Sequence, residues 1–306
     1  MSEAALDRAA APPAPPVETP FRRFVRDYCE SPLAVAALIV LAVIVAVALF
    51  APLVSPTDPY DLAQVSILDA KQAPGAQSLD GMTYWLGTDG AGRDLVSAII
   101  YGLRISLGVG VMSGAFALCI GAAVGLAAAY FGGRIDAFIM RVVDIQLSFP
   151  AILIALILLA ILGKGVDKII IALVIAQWAY YARTVRGSAL VERNKEYIEA
   201  ARCLALGHNR IVFRHLFPNC LPPLIVVGTI QTAHAISLEA TLSFLGVGLP
   251  ISEPSLGLLI SNGFDFMLSG LYWISFFPGV ALLVTIVAIN LVGDQLRDVL
   301  NPRLQK

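Results

Sequence analysis

Residues 105–133 contain no Asp, Glu, Lys or Arg. At a rise of 1.5 Å per residue, such a run is long enough to cross a hydrocarbon core of ~30 Å as a helix. Composition points the same way. Hydrophobic residues make up 58% of the chain and charged residues 14%, against about 25% charged in ordinary soluble domains, so a water-soluble globule could not hide the apolar surface. Two pairs of small residues four apart, Gly110 with Gly114 and Gly121 with Gly125, predict close approach by a neighbouring helix. A phosphate-binding loop is the competing reading of these glycines, and it fails because no GxxxxGK[ST] occurs in the chain.

Five further runs predict spans. The first, 33–54, is far longer than the 7–15-residue core of a signal peptide. The others are 145–163 with Pro150 in its first turns, 169–182, 221–249 opened by Pro222 and Pro223, and 271–293 with Pro278. The run 169–182 is short, but the basic distribution requires it. With six spans, 16 of the 21 Lys and Arg fall on the inner side. Removing the fourth would place the cluster from Arg183 to Arg214 outside, against the positive-inside rule. Both termini are then inside. Arg134 and Arg141 mark a short inner loop, and 250–270 is an outer loop without Lys or Arg. Between the first two spans Asp58, Asp61, Asp69, Asp80, Asp89 and Asp94 face only Lys71 and Arg93, which suits the outer side. The proline-rich N-terminus is expected to be disordered.

The charged stretch 196–219 separates two apolar blocks. Ile198, Ala201 and Ala205, then Ile211 and Leu216, recur at helical spacing. This predicts two short helices that break near Gly207, with Pro218 closing the second. Glu199-Ala200-Ala201 with Phe217-Pro218 resembles the EAA loop of ABC-transporter permeases, which docks into a groove of a cytoplasmic ATPase. Gly87-Thr88-Asp89, Gly92-Arg93-Asp94, Tyr101-Gly102, Arg104-Ile105-Ser106-Leu107, Ser148-Phe149-Pro150, Arg183 with Val185-Arg186-Gly187, Leu242-Ser243-Phe244-Leu245-Gly246 and Gly293-Asp294 resemble the dipeptide/oligopeptide/nickel permease C-subunits. Together they cover roughly 86–304. In that family a glycine stands six residues after the glutamate. Here that position is Ala205, and the departure implies a turn shifted to Gly207.

The resemblance implies an all-α membrane protein with six transmembrane helices, the type I ABC importer permease fold (MetI-like) with cytoplasmic EAA coupling helices. It implies the following organisation: a cytoplasmic, disordered tail over 1–31, a first transmembrane helix over 32–55, and a periplasmic loop over 56–94. A five-helix transmembrane domain over 95–294 follows, with its coupling loop at 189–220, and then a cytoplasmic tail over 295–306. The implied setting is a bacterial inner membrane with its lipid. The implied partners are a second, homologous permease in a heterodimer, two ATPase subunits and an extracytoplasmic solute-binding protein, with no nucleic acid. Glu199, Ala200, Ala201, Gly207, Phe217 and Pro218 would couple to the ATPases. ATP and Mg would sit on those partners, and this chain would bind no cofactor or metal. The solute would be a di- or oligopeptide, or alternatively glutathione, an opine or a nickel chelate. The residues themselves offer no nucleophile–base pair and no metal cluster, so no enzyme is expected. A secondary transporter or channel is the rival class, marked by intramembrane charge relays or inverted repeats; the sequence displays neither. A non-transporting membrane anchor is a second rival.

Ionisable groups within spans are costly and therefore candidates for function. Asp144 is expected to pair with Arg141. Glu239, in a stretch with Ser237, Thr241 and Ser243, either faces a polar translocation pathway together with Ser243 or bonds to a partner subunit or another span. His234 lacks a second ligand at metal spacing and reads as a packed residue. Cys29, Cys119, Cys203 and Cys220 read as free thiols.

Overall fold

The computed structural model describes residues 19–61, 65–78, 81–250, 253 and 255–300. Its helices of eight or more residues are α1 (Pro20–Cys29), α2 (Pro32–Leu49), α3 (Leu95–Phe131), α4 (Gly133–Ser148) and α5 (Ala151–Leu162). They continue with α6 (Val166–Arg193), α7 (Glu196–Cys203), α8 (His208–Phe244), α9 (Leu256–Phe264) and α10 (Trp273–Leu300).

Helix α3 begins at Asp94, whose carboxylate accepts from Ser97 N at 2.8 Å and Ser97 Oγ at 2.6 Å, satisfying donors that a helix start leaves open. Its glycine pairs act as predicted, and each pair serves a different neighbour. A Cβ at Gly121 would lie 2.5 Å from Trp178 O, and one at Gly125 2.4 Å from Ala182 O, so this half of α3 lies directly on the α6 backbone. A Cβ at Gly110 would lie 2.5 Å from Ile236 Cγ1, and one at Gly114 3.2 Å from Thr232 Oγ1, so the other half lies against α8. Around this three-helix centre, α10 packs on α8 and α9, and α2 packs on α10 and α3.

Among the described residues α2, α3, α8 and α10 are long and apolar enough to cross a membrane, and α4 with α5 adds up to one more as a bent pair. The span expected at 169–182 lies inside α6. That helix has 28 residues, roughly 42 Å at 1.5 Å per residue, although Gln177, Arg183 and Arg186 make it more polar than the other four.

Several boundaries differ from expectation. The run 145–163 is not one straight span: α4 and α5 meet at 88°. Proline disfavours helical angles in the residue before it, and Phe149, preceding Pro150, is extended at φ −96°, ψ 139°. The expected inner loop at 134–141 is consequently part of α4. Asp144 pairs with Arg183 on α6 instead of Arg141, and Asp136 likewise takes Arg186, with Nη2 to Oδ2 at 2.6 Å. Both pairs tie α4 to α6. The disorder expected through residue 31 is corrected over 20–29, where Phe24 and Tyr28 of α1 pack on Ala34 and Val299; residues 1–18 lie outside the described residues. The segment 250–270, expected to be an outer loop, contains α9, held in the core by Leu256, Leu258 and Leu259. The tail expected from 295 is helical as far as Leu300, and 301–306 lie outside the described residues.

Between α2 and α3 the chain folds into a small unit around a hairpin of β1 (Ala76–Gln77) and β2 (Thr83–Tyr84). Its acidic residues are partly internal. Asp69 accepts from Ser78 Oγ and the Tyr84 hydroxyl. Asp89 accepts from the amides of Ala91 and Arg93 and holds buried Arg93 Nε at 2.8 Å. Asp80 lies outside the described residues.

Candidate functional site

The stretch 189–220 forms a helix–turn–helix projection at the end of the bundle where α6 finishes and α8 begins. Helix α7 turns its apolar side inward. Ile198 and Ala201 are buried with Ile211 and Leu216 of α8, Val185 and Ala189 of α6, and Tyr130 of α3. Polar ties fix the same corner. Arg193 Nη1 donates to Ala129 O at 2.6 Å, and the Tyr130 hydroxyl is hydrogen-bonded to His208 Nδ1. Glu192 accepts from Lys195 Nζ at 2.6 Å and from the Tyr197 hydroxyl at 2.7 Å. Burial works to raise the Glu192 carboxyl, but these two bonds and the Lys195 charge together outweigh it and hold the group below the ordinary carboxylate range.

The turn is not shifted to Gly207. Ala205 carries the left-handed conformation, at φ +52°, and Gly207 is extended at φ −61°, ψ 146°. The bonding explains why. Leu206 N donates to Ala201 O, and Ala205 N donates to Arg202 O. This is the Schellman pair that closes a helix whose last turn ends at Cys203, and it sets the left-handed residue at 205 whatever side chain stands there. Leu206 completes the motif by packing on the buried cluster. Gly207 instead precedes α8, and a Cβ there would meet nothing within 4 Å. An L-residue with a Cβ pays about 1–2 kcal/mol in left-handed angles. Ala205→Gly should therefore stabilise the turn by about 1 kcal/mol, Ala205→Val should destabilise it, and Gly207→Ala should be neutral. Thermal melts of the purified protein check this ordering, and a lower melting temperature for Ala205→Gly would contradict it.

Pro218 does not close the second helix, because α8 runs through it to Phe244. A proline ring clashes with the carbonyl four residues back and removes a donor. Here the preceding turns, 211–216, widen to π-helix, with Phe217 N donating to Val212 O, and this register absorbs the misfit.

The six residues expected to couple thus divide into two sets. Ala201 is buried and Phe217 half-buried, both packed on the cluster beneath. Glu199, Ala200, Gly207 and Pro218 are exposed. Two apolar side chains in the same stretch are exposed as well, Leu204 at 74% and Phe213 at 67%. Leu204 follows Ala201 at helical spacing, so periodicity alone assigns it inward.

Glu239 and Ser243 belong elsewhere. Both are fully buried. The Glu239 carboxylate accepts from Ser243 Oγ at 2.7 Å on its own helix and from Ser106 Oγ at 2.8 Å on α3, which is the bond to another span weighed as one alternative. Cavities open elsewhere on the described residues. One, of about 810 Å³, lies between the near ends of α6, α8 and α10 and is lined by Ser188, Glu192, Asn219, Pro222 and Arg297 among others. Another, of about 340 Å³, includes Tyr60, Tyr101, Arg104 and Met112 in its lining. Glu239 and Ser243 line neither.

Residues 117–306 match the family described as binding-protein-dependent transport system inner membrane component, and residues 19–74 match the N-terminal TM domain of oligopeptide transport permease C. The chain is 42% identical over 268 residues to a putative peptide transport system permease protein of Brucella suis biovar 1, covering 88% of this chain and 87% of that one. It is 35% identical to the dipeptide transport system permease protein DppC of Alkalihalophilus pseudofirmus, over 96% of this chain and 95% of the relative. With the oligopeptide transport system permease protein OppC of Bacillus subtilis it shares 37% identity, over 90% and 87%. Among solved structures, an inward-facing conformation of the MetNI methionine ABC transporter superposes with a TM-score of 0.55 at 22% identity, covering 67% of this chain and 96% of that one. That likeness concerns the fold.

Proposed function

This chain belongs to the family of binding-protein-dependent transport system inner membrane components, and on that footing we propose that it forms half of the translocation pathway of an ATP-driven importer of di- or oligopeptides. The observation that carries the coupling part is the division within 189–220: a packed base, and exposed side chains on both of its helices, Glu199 and Ala200 with Leu204 at the end of α7, and Phe213 and Pro218 on α8. Apolar side chains exposed beside charges on a fixed support suit a protein partner better than water. In this reading the face sits in the cytoplasm and docks on an ATPase subunit, one of two, which supplies ATP and Mg. A homologous permease completes the pathway as a heterodimer, an extracytoplasmic solute-binding protein delivers the solute, and both termini are cytoplasmic. ATP binding moves the bundle only by favouring one of its two packings over the other.

Cys203, exposed on α7, is a probe already in place. In the purified complex with its ATPase, a maleimide should label Cys203 at least several-fold more slowly than in the permease alone. Equal labelling would overturn the docking. The solute class is tested separately, by identifying the ligand that copurifies with the binding protein: a peptide is expected, and glutathione, an opine or a nickel chelate would replace it.

A further inference from the structure

The N-terminal helix α1 carries a surface that nothing above uses. Its ten residues, Pro20–Cys29, segregate by chemistry at 100° per residue: Phe21, Phe24, Val25 and Tyr28 fall on one arc, and Arg22, Arg23 and Arg26 on the other. Only part of the apolar arc is occupied. Phe24 and Tyr28 pack on Ala34 and Val299, whereas Phe21 is 76% and Val25 41% exposed. On the basic arc one carboxylate faces two guanidinium groups, with Asp27 3.7 Å from Arg23 Nε and 3.3 Å from Arg26 Nη2. With Glu30 capping the end of the helix, three positive charges stand against two negative ones.

The position of α1 says what covers this surface. The extended Ser31 breaks the helix, and its hydroxyl starts α2, an apolar span candidate, at Pro32. Helix α1 is pinned to that starting point, by Tyr28 to Ala34 O and by Gln295 Nε2 of α10 to Asp27 O. A short helix fixed where a membrane span begins, basic on one side and apolar on the other, sits at the depth of the phospholipid headgroups. We propose that α1 lies in the membrane interface, with Phe21 and Val25 inserted at the acyl boundary and Arg22, Arg23 and Arg26 binding the phosphates of anionic phospholipids. The inference does not depend on what the importer carries.

Two arms test it on the assembled complex in nanodiscs. In a variant with the native cysteines replaced by serine, a spin label at Phe21→Cys should be relaxed by oxygen and shielded from a water-soluble nickel chelate. Access by the chelate would overturn the proposal. Shielding from both relaxers would also overturn it, because a protein neighbour would then cover the face. In the second arm, native mass spectrometry compares retention of phosphatidylglycerol with that of phosphatidylcholine. Each basic side chain at an anionic surface strengthens association about five-fold, so Arg22→Gln/Arg23→Gln/Arg26→Gln should reduce the phosphatidylglycerol preference at least five-fold. Phe24 and Tyr28 are kept in that variant so that α1 stays docked. An unchanged preference, or none in the wild type, would refute the binding.

Discussion

Valine at position 125 should prevent the bundle from assembling. A Cβ there would sit 2.4 Å from Ala182 O and 3.1 Å from Ala182 C and Cα, all backbone atoms of a fully buried residue, so no side-chain rotation relieves the contact. Either α3 and α6 separate or one of them deforms. Overpacking a well-filled interior costs typically about 1–3 kcal/mol even where side chains can give, and here they cannot. Separation would also strip the contacts of Gly121, whose Cβ position lies 2.5 Å from both Trp178 O and Tyr181 Cβ. The membrane-inserted level of Gly125→Val should fall several-fold, and what remains should be open to protease and inactive. Gly187→Ala, on the same α6 but with nothing within 4 Å of the added carbon, is the matched control and should behave as wild type. Equal levels and equal melting temperatures for the two variants would contradict the close approach.

The glycine spacing in α3 was legible because it needs only one helix to be seen. Which neighbours it serves was not, since contact with α6 through Gly121 and Gly125 and with α8 through Gly110 and Gly114 depends on how three helices are arranged. The partner of Asp144 was not legible for a related reason: Arg141 is near in sequence, but Arg183 comes from the helix packed alongside. Pro150 was visible as a weak point, yet nothing local distinguishes a kink from an 88° bend. Helix α9 has nine residues, too few to register as a span, and so passed for loop. The turn that ends α7 shows the limit of local reading. Glycine is the residue best suited to left-handed angles, and Gly207 is the glycine nearest the end of α7. The position is set by the hydrogen bonds that end α7, and Ala205 accepts the conformation at modest cost.

Glu199→Lys should abolish uptake while leaving the permease folded and inserted. Among the described residues the Glu199 side chain is exposed and makes no hydrogen bond or ion pair within this chain. Within the permease its contribution is an acidic charge in the first turn of α7, worth about 0.3–1 kcal/mol against the helix dipole. Reversal of that charge is therefore cheap for the fold. It would be expensive at a docked interface, where losing one partner of a desolvated charge pair typically costs about 2–5 kcal/mol, a roughly 30-fold to several-thousand-fold weaker contact. Uptake should fall at least ten-fold, the ATPase should be lost from the purified complex or run uncoupled from the solute, and insertion and melting temperature should stay near wild type. The turn variants sharpen the comparison. Ala205→Gly leaves the outward face unaltered and should transport normally, and Gly207→Pro is a poor disruptor because φ at that residue is already −61°, where a proline ring would hold it. If Glu199→Lys transported at the wild-type rate with normal ATPase coupling, the exposed face of α7 would not be where the ATPase engages.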